Sequence, residues 1–292
     1  MGWAADVEAA VQAAVGTAGD AVVTIGRGSG LVVADGRVAT NAHNLHGDEV
    51  RVHFADGRTA IGHVAGADVE GDLAVVEADT AGVAPVAPAG DAARLGQPVV
   101  ALARPRHRGL VASVGTVATT DARFRGPRGA LVTGAFEHTA RLPRGASGGP
   151  VLDTTGRLVG IDTHRRRDGF YVAVDATDTL VERLDGLAEG HVAPRARLGV
   201  VVAPPHVARR LRAAVGLPER DGVLVREVEE DGPAAAAGVA GGDLVVAVDG
   251  APIAAVEDLQ AALAAATGPV ELVVVRGTDE RTVTVDVLAG AA

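Results

Sequence analysis

The sequence has no cysteine and no lysine, and its 292 residues include one tryptophan, one tyrosine and four phenylalanines. Without cysteine, disulfides, thiolate metal sites and cysteine nucleophiles are excluded, so stability must come from packing. With aromatics at 2%, the core has to be built from Val, Leu, Ile and Ala, and the abundance of Val favours strands. Serine is scarce as well, present only at Ser29, Ser113 and Ser147. No apolar run approaches the ~18 residues that a membrane-spanning helix needs. The start, Met1-Gly2-Trp3-Ala4-Ala5-Asp6, lacks the charged and then apolar pattern of an export signal. The expectation is a cytoplasmic protein, or an extracytoplasmic one if a targeting segment lies outside this sequence. A formal charge of −10 argues against a general nucleic-acid binder.

What is present is valine, glycine and an uneven distribution of charge. Counting Asp, Glu and Arg, residues 1–98 carry −8, residues 99–190 +3 and residues 191–292 −5, so the middle third is the basic one. The length suits two domains, each able to bury its own core. Trp3, Val7, Val11 and Val15 recur at i, i+4 spacing among alanines. That spacing predicts a short amphipathic helix packed on the next domain or on another subunit. From residue 21 to 77, short Val-rich runs alternate with turns such as Asp35-Gly36-Arg37 and Asp56-Gly57-Arg58. A second set of strands is predicted at 98–103, 111–118, 130–136, 150–153, 158–163 and 170–174. Residues up to 185 therefore read as two successive all-β units, and a Rossmann or P-loop reading finds no support. The small, polar, Pro-containing stretch 186–196 reads as a linker. Beyond it, strands mix with helices predicted at 207–214, 233–237 and 256–265, a small α+β domain.

One stretch organises the rest: Arg144-Gly145-Ala146-Ser147-Gly148-Gly149-Pro150, followed by the apolar Val151-Leu152. A serine between glycines sits on backbone that can turn tightly and admit a substrate carbonyl, with amides directed to where an oxyanion would form. Its hydroxyl is a poor nucleophile unless a positioned base takes the proton. Of the nine histidines, His43 lies in Thr40-Asn41-Ala42-His43, directly after an apolar strand, where a side chain can project into a cleft. His46, His53, His63, His107, His138, His164, His191 and His206 fall in turns, polar faces or the linker and are expected to be solvated. The base needs a buried carboxylate in turn. Asp72, opening Asp72-Leu73-Ala74-Val75-Val76, is better placed than Asp68 or Glu70 in the preceding loop. The site is thus expected between the two β units. His43 and His46 lack further ligands at zinc-like spacing, so no metal site is expected.

These segments carry a resemblance. Gly28-Ser29-Gly30-Leu31-Val32-Val33 leading to Thr40-Asn41-Ala42-His43, then Gly71-Asp72-Leu73-Ala74-Val75-Val76, Gly145-Ala146-Ser147-Gly148-Gly149-Pro150 and Gly156-Arg157-Leu158-Val159-Gly160-Ile161-Asp162, in this order and spacing, resemble the HtrA/Deg family of trypsin-like serine proteases. The resemblance implies a mainly β fold: an N-terminal helix (1–18), a chymotrypsin-like double β-barrel (19–185), the linker (186–196) and a small α+β PDZ domain (197–292). It implies His43 as general base, Asp72 as its orienting partner, Ser147 as nucleophile, and the amides of Gly145 and Ser147 as oxyanion hole. In the PDZ region, Arg197-Leu198-Gly199-Val200 stands where such domains have their carboxylate-binding loop. A peptide C-terminus would then add as a strand between 199–203 and the helix 256–265, with Leu198, Gly199 and Val200 at its end.

The function so implied is ATP-independent endoproteolysis of unfolded or misfolded proteins, without a cofactor, in a homotrimer. The contrasting reading is a peptide-binding scaffold or holdase whose triad is locked. Asn44-Leu45 after His43, Ala103-Arg104-Pro105-Arg106 where family members carry Gly-Asn-Pro, and Glu137-His138-Thr139-Ala140-Arg141 depart from the family pattern. Arg141, Arg144 and Arg165-Arg166-Arg167 are expected to be solvated loop charge; the sharper alternative is that they attract acidic substrates or the −5 terminal domain.

Overall fold

The computed structural model describes residues 2–127, 131–192 and 196–288, apart from the side chain of Trp3. Residue 130, a predicted strand start, and residues 193–195 of the expected linker lie outside them. The chain divides into two compact units, Met1–Ala193 and Pro194–Ala292.

The first unit opens with helix α1 (Trp3–Ala18), whose Ala14 and Ala18 are fully buried. Its C-terminal end is held by Arg104, which donates from Nη2 to the Gly19 carbonyl at 3.0 Å and from Nε to the Val22 carbonyl at 2.7 Å. A cation is favourable at a helix C-terminus. Burial lowers the Arg104 pKa somewhat, against the pull of Asp20. The Arg104 departure from the family pattern therefore has a structural use: it ties the N-terminal helix to the second barrel.

Strands β1 (Val22–Ile25), β2 (Gly28–Ala34), β3 (Arg37–Thr40), β4 (Glu49–His53), β5 (Thr59–Asp68) and β6 (Leu73–Glu77) close into a barrel in the order β1-β2-β3-β6-β5-β4. Strands β7 (Pro98–Ala103), β8 (Val111–Arg125), β9 (Leu131–His138), β10 (Pro150–Leu152), β11 (Leu158–Arg165) and β12 (Tyr171–Asp175) close a second, ordered β10-β11-β12-β9-β8-β7. Closure leaves neither sheet an unpaired edge. Helix α2 (Asp178–Ala188) follows, and it runs into the stretch expected as linker. It does so because Leu180, Leu184 and Leu187 form one buried stripe against the barrel core.

In the second unit, β13 (Val200–Ala203), α3 (Pro205–Ala214), β14 (Val223–Val228), α4 (Pro233–Ala236), β15 (Leu244–Val248), β16 (Ala251–Pro252), α5 (Val256–Ala265), β17 (Val270–Arg276) and β18 (Asp279–Val285) follow in turn. The sheet runs β13-β14-β15-β17-β18, with β16 paired to β15. Asp243 is fully buried and accepts from Arg276 Nε at 2.7 Å, Arg281 Nη2 at 3.2 Å and the Ala240 amide at 2.9 Å. Burial pushes its carboxyl up, but the hydrogen bonds from Arg276, Ala240 and Arg281 and the Arg276 charge outweigh this and hold it below the usual carboxylate range. A depressed folded pKa contributes stability above the unfolded value, and that contribution is lost as pH falls through the folded value. Asp243 is enclosed while Arg276 and Arg281 reach solvent, so its loss strands no buried charge but breaks the hydrogen bonds that join it to β17 and β18. We therefore expect Asp243→Ala to lower the melting temperature of this unit clearly at pH 7, with the gap from wild type closing below about pH 4. Calorimetry of the full chain across pH 3–7 checks both; a constant gap would contradict the ionic account.

Candidate active site

Antiparallel register brings residues 43 and 72 together. Thr40 at the end of β3 lies opposite Ala74 in β6, so the residues just past one strand stand beside those just before the other. His43 occupies a single 3-10 turn, Ala42–Asn44. Its Nδ1 lies 2.9 and 2.7 Å from the two Asp72 carboxylate oxygens, and its backbone amide donates to Oδ1 at 3.1 Å. The Asp72 side chain is 4% exposed and that of His43 37%, so the carboxylate is enclosed and the ring edge meets solvent. Asp72 has φ +54, a left-handed conformation that Asp and Asn tolerate better than other side chains. Asn41 Nδ2 holds the Asp72 carbonyl at 2.8 Å and supports it there.

Ser147 comes from the loop between β9 and β10. The Gly148 amide donates to the Asp162 carbonyl at 2.7 Å and the Asp162 amide to that of Gly149 at 2.8 Å, which ties the loop to β11. The first barrel grips it too: the Ser29 amide and Asn44 Nδ2 donate to the Ser147 carbonyl at 2.8 and 2.9 Å, and Ser29 Oγ to the Gly145 carbonyl at 2.9 Å. A Cβ on Gly148, where φ is +88, would stand 2.1 Å from the Ser29 carbonyl oxygen, so only glycine lets the barrels close here. Among the described residues no hydrogen bond uses the amides of Gly145 or Ser147. Two donors are thus open to an incoming oxyanion.

The Ser147 hydroxyl donates to the Thr163 carbonyl at 2.6 Å, while Thr163 Oγ1 donates to Asp72 Oδ2 at 3.0 Å. His43 Nε2 makes no hydrogen bond among the described residues. The acid and the base are engaged, and the hydroxyl rests on Thr163. Thr163, Ser29 and Asn44 were given no role from the sequence, although Ser29 and Asn44 stood in segments quoted there. Ser29 between Gly28 and Gly30 was the signal available; Thr163, at a predicted strand end, had none.

Two histidines correct the expectation of solvation. His138 is fully buried, beneath Tyr171 and beside Asp162, with Nε2 3.5 Å from Oδ1: an ion-pair distance without hydrogen-bond geometry. His164 packs edge-on to Phe124, and burial lowers its pKa, with Arg166 and His43 adding to that and Asp72 opposing it. The physical reason is the length of β9 and β11: barrel pairing places His138 inside, and His164 is half-buried against Phe124. Replacing such a buried polar pair as His138 and Asp162 by apolar side chains of similar volume is often neutral or stabilising. His138→Leu with Asp162→Leu is accordingly expected to hold or raise stability, as read by urea unfolding, and a marked loss would contradict this. Of the arginines singled out, Arg166 pairs with Glu137 and Arg165 lies over the Tyr171 ring at 5.9 Å, whereas Arg141 and Arg144 are exposed.

In the second unit, β13 ends the sheet, and Val200 and Val202 share an apolar cluster with Val256, Leu259 and Leu263 of α5. Just before it, the carbonyls of Leu198 and Gly199 accept from the amides of Ala234 and Glu229. The amides of Leu198 and Gly199 donate to nothing among the described residues. An open strand edge beside a helix, with free amides at its start, can take up an extended chain and its carboxylate.

Comparison with known proteins bears on the domains. The profile of the trypsin-like peptidase domain matches residues 28–161, and that of the PDZ domain residues 197–287. A probable periplasmic serine endoprotease, DegP-like, from Halomonas elongata is 32% identical over 89% of this chain and 56% of its own. The putative serine protease HhoA from Synechocystis is 34% identical over 78% of this chain and 61% of its own. The chain thus spans less than two thirds of these relatives. The solved structure of the HtrA-type protease AlgW with a decapeptide superposes with a TM-score of 0.75 at 25% identity, covering 94% of this chain and 97% of that one.

Proposed function

The chain belongs to the HtrA/Deg family of trypsin-like serine proteases that carry a PDZ domain, and from that premise we propose that it is an ATP-independent endopeptidase acting on unfolded or misfolded polypeptides. The observation that carries this is the close approach of Asp72 to His43 Nδ1 next to a serine whose flanking amides are open. Ser147 Oγ leaves Thr163, passes its proton to His43 Nε2 and attacks the scissile carbonyl. The amides of Gly145 and Ser147 receive the oxyanion, His43 protonates the departing amine, and Asp72 steadies the imidazolium. Water then hydrolyses the acyl-enzyme by the same route. The scaffold reading would rest on the hydroxyl staying on Thr163, but a hydrogen bond of ordinary net strength, about 1 kcal/mol, does not lock a side chain.

Leu198, Gly199 and Val200 would hold the carboxylate of a peptide lying along β13, and so connect the PDZ domain to substrate or activator. The name of the DegP-like relative supports an extracytoplasmic place of action, to be checked by fractionation. A homotrimer is proposed from family membership and is read by sedimentation. The deciding experiment is casein turnover with a reactive-serine probe, with and without a peptide ending in a hydrophobic residue. Labelling at Ser147 with turnover supports the protease; neither, under any peptide, would return the scaffold reading.

A further inference from the structure

A pocket of about 300 Å³ lies beside the nucleophile loop and is no part of the constellation above. Arg27, Arg51 and Arg106 line it with His46 and His53, and Glu49 is its one acid. That Glu49 carboxylate already faces His63, 3.7 Å away. Among the described residues none of these three arginines makes an ion pair or a side-chain hydrogen bond. Elsewhere Arg37, Arg58, Arg183, Arg209, Arg276 and Arg281 are paired with carboxylates. In a chain of charge −10, unpaired guanidinium groups around one cavity make a local site for an anion.

Its position says what that anion belongs to. The pocket contains Asn44, which directly follows His43 and donates to the Ser147 carbonyl. A Cβ built on Gly145 would lie 3.5 Å from the Arg27 carbonyl and 3.3 Å from Pro105, the neighbour of Arg106. Arg27 and Arg106 therefore flank the loop whose amides face the oxyanion. On the endopeptidase reading His43 protonates the departing nitrogen, which puts the start of the leaving segment beside His43, and Asn44, next in the chain, lines the pocket. Resting on the endopeptidase reading, we propose that this pocket binds an acidic side chain on the leaving-group side of the scissile bond. Arg27 and Arg106 serve as the carboxylate donors, and the site gives the enzyme a primed-side preference for Asp or Glu.

The test is a set of quenched fluorescent peptides with amidated ends, differing only in having Glu, Gln or Arg at each of the first three positions after the scissile bond. At low salt, Glu at one of these positions is expected to raise kcat/KM about ten-fold over Gln, as one charge-assisted hydrogen bond would. The ratio should shrink at higher ionic strength. Arg27→Ala with Arg106→Ala should bring the Glu-to-Gln ratio close to one, and Arg106→Glu should move the preference toward the Arg peptides. Equal cleavage of all three series by the wild type overturns the proposal and leaves the protease standing. Cleavage of none overturns both.

Discussion

Ser147→Ala is expected to lower kcat for casein or a peptide by about a millionfold, the scale seen when a nucleophile is removed from a triad that acts as a unit. The reason is local. The chain has only Ser29 and Ser113 besides it, and Ser29 is buried with its hydroxyl committed to the Gly145 carbonyl. The Thr163 hydroxyl is the other one at the site, and it is committed to Asp72 Oδ2 at 3.0 Å, so it does not replace the lost one. Residual turnover above the uncatalysed rate would come from the open amides and from binding. Deleting Oγ removes only its hydrogen bond to Thr163, so the fold and the binding of a C-terminal peptide should be retained. Turnover within tenfold of wild type in this variant would remove Ser147 from the mechanism.

Asp72→Asn is expected to lower kcat by about ten-thousandfold with little change in melting temperature. An amide in place of the carboxylate can present its NH₂ to His43 Nδ1. That favours the tautomer carrying the proton on Nε2, where a lone pair is needed. Asn tolerates the φ of +54 at this position, and its oxygen still accepts from Thr163 Oγ1 or the His43 amide. Asp72→Ala makes a useful contrast: it loses the same orientation and adds about 1–2 kcal/mol of backbone strain, so it should also melt earlier. Steady-state kinetics with calorimetry on both variants separates the two effects. Wild-type kcat in Asp72→Asn would mean that the carboxylate does not orient the ring.

Most strands were legible because a Val-rich sequence punctuated by Gly and Asp allows little else; β7 keeps the limits predicted for it. α2 was missed although Leu180, Leu184 and Leu187 spell an amphipathic stripe, since the apolar positions are few and the helix ends in residues that also suit a linker. β8 and β9 run past their predicted ends because barrel pairing, not local propensity, decides strand length there. His138 was read as solvated for the same reason: it ends β9, and only the pairing with Tyr171 in β12 places it inside.

The sequence by itself determined which groups are chemically capable: a serine among glycines, a histidine after an apolar strand, an acid opening another, and a core with no cysteine and few aromatics. Those properties reside in residue type and near neighbours. Only the tertiary structure decided that Ser147 rests on Thr163, that Ser29 and Asn44 clamp its loop, and that Arg27 and Arg106 meet at one pocket while Arg166 is engaged by Glu137. Each depends on distances between strands far apart in the chain, which are set by barrel closure and register rather than by any local pattern.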